Sequence, residues 1–279
     1  MLRQFLVVSV FALFAIAAAA APRPSDSHPP ESGTMKWGNL TVTVRQAPVG
    51  SFSEGKARVE IKDSKGKVLA ALSDAIVANT AIREINGGGS PELVVNMFSG
   101  GLHCCFTNVV FTQDGGFRRL IDLPGGQIEG ITAVKDLDGR GRPEIIMYDN
   151  NIWAYYDDLA FAYCPSMPLI IGWNGARYVN QTAKFPQQTL DSAKGYQADL
   201  LAALRKPRKD DNPTWREERR HSAALGYFSN MLVVGKGSEA KAWLRNHAPR
   251  ETGSWLSGHE SEIRKTVVAW SKTVYSPKG

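Results

Sequence analysis

The sequence predicts an α+β protein, in which an antiparallel β-repeat region of propeller-like, incomplete blades is followed by a C-terminal helical region. Up to about residue 184, short runs of β-branched and aromatic residues alternate with Gly, Asn and Asp turns. An acidic, glycine-rich motif occurs twice within this part. From about Gln187 onward, apolar residues recur three and four positions apart, which is the spacing of helices. We therefore expect a β-repeat domain over residues 36–185 and helices over residues 186–279.

The N terminus has the pattern of a secretory signal peptide over residues 1–21. Arg3 precedes an apolar run over residues 5–16, and small residues follow at the expected cleavage point. A retained membrane anchor is the alternative, but the apolar run is short and rich in alanine. Residues 22–35 combine proline, serine and charge without periodicity, which is typical of a flexible leader. These patterns predict a periplasmic or secreted protein without a transmembrane anchor after cleavage.

The β region contains three predicted hairpin turns, at residues 63–66, 114–116 and 174–175, each between two strand-like runs. No helical period separates the strands, so the sheets should be antiparallel. One copy of the acidic, glycine-rich motif lies between the first two hairpins, and the other copy lies between the last two. This order is an internal repeat with a period of roughly 50 residues, which is typical of one sheet per repeat.

The two copies of the motif are AIREINGGGSPELVVNMF, residues 81–98, and AVKDLDGRGRPEIIMYDN, residues 133–150. In the alignment Glu84 matches Asp136, Asn86 matches Asp138, and Glu92 matches Glu144. The motif resembles the FG-GAP or VCBS-type repeats of integrin-like β-propellers, over about residues 56–184. The resemblance implies antiparallel blades with a calcium loop that joins strands. Two loops and three hairpins make about three blades, whereas closed propellers need about four to eight, so hidden blades, an open sheet with a covered edge and a smaller relative all remain open.

The second loop is the candidate cation site, because Asp136, Asp138 and Glu144 occupy its first, third and ninth positions. Calcium takes six to eight oxygen ligands from such side chains. The fifth position holds Arg140, which cannot ligate a cation and opposes its charge; the first loop has Gly88 there. The alternative, which we favour, is a turn that needs glycine at positive φ. The expected cofactor is therefore none, with calcium as the open alternative.

The three cysteines of this chain predict one disulfide, because exported proteins oxidise their thiols. Cys104 and Cys105 are adjacent, so Cys164 is the natural partner of one of them. His103 beside the two cysteines also allows a nucleophile or a metal site. One histidine with two adjacent cysteines is a poor zinc set, however, and a structural role is favoured.

An aromatic and acidic segment, NNIWAYYDDLAFAYC, contains Tyr155, Tyr156, Asp157 and Asp158. Aromatic rings beside carboxylates are common in carbohydrate sites, and two carboxyl groups could serve a glycosidase. Adjacent residues on a strand point to opposite faces, however, so both aspartates can face one substrate only in a loop. We expect a loop or strand rim that presents an aromatic ligand surface, to which His103 is a further candidate.

The helical region should contain three to five short helices, with Asn212 as an N-cap, and its apolar stripes should cover the sheet. The net charge of +6 is modest, and acidic residues interrupt the basic run over residues 205–220, so we predict no nucleic-acid partner.

The predicted function is an exported, non-enzymatic binding or scaffold protein with an unknown protein or glycan of the envelope or extracellular space as partner. No catalytic residue is assigned. The alternative is an envelope or extracellular hydrolase that acts on glycan or peptide through His103, Asp157 and Asp158.

Overall fold

The computed structural model describes residues 31–48, 56–100, 106–126, 130–205 and 212–277 of the chain. These residues form three four-stranded antiparallel sheets, which are followed by four α-helices. The predicted class, α+β with an antiparallel β region before a helical region, is confirmed. The sheets are open, because none of them closes on itself.

The sheets follow one another along the chain. Sheet 1 consists of β1 (Gly33–Trp37), β2 (Leu40–Arg45), β3 (Ala57–Lys62) and β4 (Val68–Asp74). Sheet 2 consists of β5 (Ile76–Arg83), β6 (Glu92–Phe98), β7 (Phe106–Thr112) and β8 (Arg118–Gly126). Sheet 3 consists of β9 (Ala133–Lys135), β10 (Glu144–Asp149), β11 (Met167–Trp173) and β12 (Tyr178–Asn180). The helices are α1 (Pro186–Ala203), α2 (Pro213–Val233), α3 (Gly237–His247) and α4 (Arg250–Trp270).

Each sheet is a meander, in which strands that are neighbours in sequence are also neighbours in space. The three predicted hairpin turns all join the third and fourth strands of a sheet. The two acidic, glycine-rich loops join the first and second strands of sheets 2 and 3. Sheet 1 has a tight turn at the same place, where Gly38 has φ 57°. The order of hairpin, loop and strand along sheets 2 and 3 is therefore the predicted one.

Sheet 2 is buried on both faces, because successive side chains of its strands point alternately towards sheet 1 and towards sheet 3. Leu93 and Val95 of β6 belong to a core that includes Val42 and Val59 of sheet 1. Val94, between them, belongs to a second core with sheet 3. The outer face of sheet 1 is polar instead, as the alternation of buried and part-exposed residues along β2 and β3 shows.

The helices share the second core with sheets 2 and 3. Residues from all four helices are buried in it, among them Leu200, Phe228, Leu244 and Ile263, and both α1 and α2 contact β11. The predicted helix start is confirmed, because the Asn212 side chain accepts a hydrogen bond from the Thr214 backbone N–H at 2.9 Å. Two of the helices are longer than expected, at 21 residues each. No helix within the described ranges has the length and apolar character needed to cross a membrane.

The segment after α4 pairs with exposed strand edges. The Tyr275 backbone N–H donates to Tyr178 O at 2.9 Å, and the Asn180 N–H donates to Thr273 O at 3.0 Å, both along β12. The carbonyl of Tyr275 accepts from the Asp122 N–H of β8 at 2.9 Å. The C-terminal segment therefore joins the fourth strands of sheets 2 and 3, and it satisfies polar groups that an open edge would leave unpaired.

The sequence patterns do not predict β1, β5 and β9. The first strand begins at Gly33, inside the stretch expected to be leader, and its Trp37 is buried in the first core. A register shift near Val77 and Asn79 interrupts β5, where polar residues mask the alternation. The third of these strands has only three residues, which is too short for a period to be recognised.

Candidate functional site

The two repeat loops are closed by the same hydrogen bond. In the first loop the Ile85 backbone N–H donates to Glu92 Oε2 at 2.8 Å. In the second loop the Leu137 N–H donates to Glu144 Oε2, also at 2.8 Å. Each glutamate begins a buried strand, and its carboxylate therefore fastens the loop to the sheet. This bond explains why the glutamate recurs in both copies.

The third position of each loop also has the same role. Asn86 Oδ1 accepts from the Gly88 N–H at 2.5 Å, and Asp138 Oδ1 accepts from the Arg140 N–H at 3.2 Å. The four glycines all have positive φ: 73° and 77° for Gly87 and Gly89, and 72° and 81° for Gly139 and Gly141. A residue with a Cβ is strained in that conformation, so both copies need glycine to make one turn.

Asp136, Asp138 and Glu144 gather in the second loop, with one carboxylate oxygen of each within 4.8 Å of the others. Asp136 accepts the Arg140 N–H at 3.1 Å and the Gly141 N–H at 2.8 Å. These backbone bonds, that of Gly141 first, lower the pKa of Asp136. The sequence prediction that the three side chains converge is therefore consistent with their positions in the structure.

The convergence does not complete a calcium shell. One converging oxygen from each of the three carboxylates supplies three of the six to eight ligands that calcium takes. Arg140 Nε lies 3.4 Å from Asp138 Oδ2, so a cationic side chain already pairs with one of the three. Burial raises the pKa of Glu144, and the nearby charges of Asp138 and Asp136 raise it further. Calcium binding stays a prediction, and the loop geometry itself needs no ion.

The connection between β10 and β11 carries the predicted aromatic and acidic segment. It contains two 3₁₀ turns, at Tyr156–Asp158 and Phe161–Tyr163. Tyr155 and Asp157 have φ 55° and 46°, which is the left-handed region. Non-glycine residues reach this region at a cost of about 1–2 kcal/mol each. The segment is thus a strained turn, which must be held by its contacts.

Helix α4 supplies those contacts. Trp255 Nε1 donates to Asp157 Oδ2, and His259 Nε2 lies 3.4 Å from Asp157 Oδ1. His259 Nδ1 lies 2.8 Å from the Trp255 carbonyl oxygen. The Tyr156 hydroxyl donates to Glu262 Oε2 at 3.2 Å, and burial raises the pKa of this tyrosine. These side chains fasten the connection to three successive turns of the helix.

Both ring nitrogens of His259 have a polar neighbour. Nδ1 lies against the Trp255 carbonyl oxygen, and Nε2 lies against the Asp157 carboxylate. His259 bonds to no hydroxyl or thiol within the described part of the chain. The pair therefore positions the connection rather than offering a free general base.

Helix α2 adds a second histidine to this cluster. The His221 ring stacks on Trp255, with centroids 4.2 Å apart and planes at 4°. Burial lowers the pKa of His221, because an apolar environment disfavours the charged ring. Glu217 Oε1 lies 4.0 Å from His221 Nε2. The stack links α2 to α4 through Trp255, which also bonds to Asp157 of the strained turn.

A groove of about 830 Å³ lies on another side of the same connection, between it and helices α1 and α2. The Tyr196 hydroxyl of α1 accepts the Ser166 N–H at 2.8 Å and donates to Ser166 O at 2.9 Å, which holds this wall in place. Trp215, in the first turn of α2, lines the groove although 54% of its surface is exposed. Further lining residues with polar or aromatic side chains are Tyr163, Asp199, Arg205 and Arg219.

The predicted site residues are only partly brought together. Tyr156 and Asp157 join the cluster with α4, while Tyr155 is largely exposed and only the backbone of Asp158 is described. Cys164 Sγ accepts the Tyr155 N–H at 3.2 Å. His103, Cys104 and Cys105 lie outside the described residues, so the disulfide prediction and the predicted role of His103 stay predictions.

Sequence reasoning missed the helical half of the site. Trp255, His259 and Glu262 follow one another at helical spacing, and this signal was visible in the sequence as one face of a helix. The exposed Trp215, two residues after a helix-starting proline, was a second available signal. Neither points to a partner on a distant β connection, because such contacts depend on the fold.

No family model, curated protein or solved structure matches this chain. The resemblance of the two loops to FG-GAP and VCBS-type repeats therefore rests on the residues of the loops themselves. The fold and the site define an α+β protein whose β repeats and helices build a shared groove.

Proposed function

We propose that the protein is an exported, non-enzymatic binding module that holds an anionic glycan in the groove between the β10–β11 connection and helices α1 and α2. The observation that carries this proposal is the placement of exposed Trp215 in the same groove as Arg205 and Arg219. An aromatic ring packs against the apolar face of a sugar, and arginine binds carboxylate or phosphate groups.

The size of the groove supports a ligand of several rings. Its volume of about 830 Å³ lies within the range of roughly 300–1,000 Å³ that is typical of small-molecule sites. Tyr163 adds a second aromatic side chain to the lining. Asp199 is an acidic residue beside the two arginines, and it can accept hydrogen bonds from sugar hydroxyls. This combination suits a chain of sugars that carries acidic groups.

The wall of the groove is held in place before any ligand arrives. Tyr196 fastens it at Ser166, and Asp157 and Tyr156 fasten the same connection to α4. A preformed wall lowers the entropy lost on binding. The strain at Asp157 is thus compatible with a role in shaping the ligand surface.

The alternative function, an envelope hydrolase that acts on glycan or peptide, would need a free base or a nucleophile. Both ring nitrogens of His259 are engaged, by Trp255 and Asp157. Tyr156 donates its hydroxyl proton to Glu262. These bonds favour a positioning role over catalysis for His259 and Tyr156. The predicted signal peptide and the resemblance to integrin-like repeats also support an extracytoplasmic binding role.

The test is calorimetric titration of the mature chain, from residue 22 onward, with soluble peptidoglycan fragments that carry free carboxylates. The same fragments with amidated carboxylates are the charge control. We expect tighter binding of the acidic fragments, and about tenfold weaker binding by Trp215→Ala, which corresponds to about 1.4 kcal/mol. Arg219→Gln should weaken binding of the acidic fragments only.

Ile82→Ala is the control variant, because it removes an exposed apolar side chain from β5 of sheet 2. Its affinity should equal that of the wild type. Absence of binding, or wild-type affinity in Trp215→Ala, would refute the proposed groove. Cleavage of the fragments that disappears in Asp157→Asn would establish the hydrolase instead.

A further inference from the structure

A second cavity, of about 430 Å³, lies beside the second repeat loop. Its walls are the loop itself, the turn between β11 and β12, and the segment from Gln181 to Lys184. It shares no lining residue with the groove described above. The proposed glycan binding therefore does not account for it.

The cavity is lined by more cationic than anionic side chains. Arg140, Arg142 and Lys184 face Asp138 and Glu144 there. The two carboxylates are already engaged, because Asp138 pairs with Arg140 and Glu144 accepts a backbone N–H. Lys184 has no ion pair within the described ranges. The lining therefore carries one net positive charge, from Arg142 and Lys184 against Glu144, and Asp136 next to the lining carries one negative charge.

Arg142 is held by stacking. Its guanidinium carbon lies 4.7 Å from the centre of the Trp173 ring. Stacking of this kind orients the guanidinium plane through cation–π attraction, while its N–H groups point outward in that plane. A guanidinium that is fixed in this way can bind a carboxylate or phosphate with two parallel hydrogen bonds.

Gln181 provides an independent observation. It is only 5% exposed, it lines the cavity, and its Nε2 has no hydrogen-bond partner among the described residues. A buried amide donor without an acceptor costs about 1–3 kcal/mol, and such groups normally have a partner. An acceptor oxygen on an anion would satisfy this donor, whereas a metal cation would not.

We infer that this cavity is an oxyanion site, which takes a small carboxylate or phosphate. Arg142 and Lys184 supply the charge, and Gln181 Nε2 supplies a neutral hydrogen bond. Arg140, at the loop position where a calcium site would have an acid, adds to the same charge. The second repeat loop thus forms one wall of an anion site, although its sequence pattern resembles that of a cation loop.

The test is titration of the mature chain with inorganic phosphate, followed by calorimetry and thermal melting. Sodium chloride of equal ionic strength is the control for general salt effects. We expect saturable binding and a raised melting temperature with phosphate. Arg142→Gln should weaken phosphate binding by about tenfold or more, as loss of a bidentate contact does.

Two further variants make the test independent of the folding of the Arg142 variant. Lys184→Met leaves the stack on Trp173 intact and should weaken phosphate binding. Gln181→Met keeps the side-chain volume but removes the hydrogen-bond donor. It should weaken phosphate binding less than Lys184→Met does. Arg245→Gln on α3 changes a distant exposed arginine and should leave phosphate binding unchanged.

Two results would overturn the inference. The first is a response to phosphate no greater than that to chloride, or one that persists in both Arg142→Gln and Lys184→Met. The second is saturable calcium binding that disappears in Asp138→Asn, which would assign the cavity to a cation. Trp215→Ala should keep the phosphate response, so failure of the glycan proposal leaves this test valid.

Discussion

The two repeat loops have the same backbone turn but different surroundings. Glu92 of the first loop is fully buried and accepts hydrogen bonds from Ile85 N, Asn86 N, Asn86 Nδ2 and Thr112 Oγ1. In the second loop, the side chain of Glu144 accepts the Leu137 N–H and lines a cavity. The glycines and the closing glutamate form the same turn in both loops. The remaining positions differ, and they determine which groups each loop contacts.

The difference in surroundings follows from the stacking of the sheets. The first loop belongs to sheet 2, the central one, and its Pro91 carbonyl accepts the Trp37 Nε1–H from sheet 1 at 2.7 Å. On its other side, Gly87 lies against the second loop, at Gly141 and Arg142. The first loop therefore contacts a neighbour on either side, with Asn86 and Glu92 buried and residues 87–91 exposed. In the second loop Arg142 stacks on Trp173, while Asp136, Asp138 and Arg140 are exposed to solvent.

The largest expected effect concerns the closing glutamates. Glu92→Ala removes the acceptor of four buried donor groups and should lower the free energy of unfolding by roughly 3–4 kcal/mol. Glu144→Ala removes fewer bonds at a more open place, so about 1–2 kcal/mol should be lost. Urea unfolding of both variants measures the two values. Equal losses would show that the two glutamates contribute equally to the stability of the fold.

A smaller difference in the free energy of unfolding is expected between alanine variants of the matched glycines Gly87 and Gly139. Gly139→Ala should lower the free energy of unfolding by about 1–2 kcal/mol, the cost of a Cβ at positive φ. The space around Gly139 is open, but a Cβ at Gly87 would lie 2.7 Å from the Gly141 carbonyl oxygen. That overlap should add roughly 1–3 kcal/mol for Gly87→Ala. Urea unfolding compares the two, and an equal loss would argue against contact between the loops.

The smallest expected effect is a pH dependence of the melting temperature, which arises from Asp136 in the second loop. Backbone N–H groups lower the pKa of Asp136 below its unfolded value, so its carboxylate stabilises the fold above that unfolded value, and the stabilisation disappears as the pH falls through the folded pKa. Asp136→Asn should therefore melt lower than the wild type near neutral pH, and the two should converge in acid.

Thermal melts between about pH 2.5 and pH 7 measure that convergence. Glu84→Gln removes a carboxylate at the matching position of the first loop and controls for the loss of a surface charge. A difference between Asp136→Asn and the wild type that stays constant with pH would contradict the role of the backbone bonds.

Much of the fold could be predicted because its signals are local. The three hairpins, the two glycine loops and the Asn212 helix start each depend on residues a few positions apart. The strand β5 was missed because polar residues and a register shift interrupt its alternation. The cluster at Asp157 was half predicted, since its partner Trp255 lies 98 positions further along the chain.

The sequence by itself determined the turn chemistry: which glycines take positive φ, which glutamate closes each loop, and where helices replace strands. These choices involve neighbours in the chain, and backbone sterics decide them wherever the chain folds. Only the tertiary structure decided that Asn86 and Glu92 of one loop are buried while the other loop lines a cavity, and that Asp157 meets α4 beside a groove. Burial and electrostatic environment depend on residues that are distant in sequence, and packing alone brings these residues together.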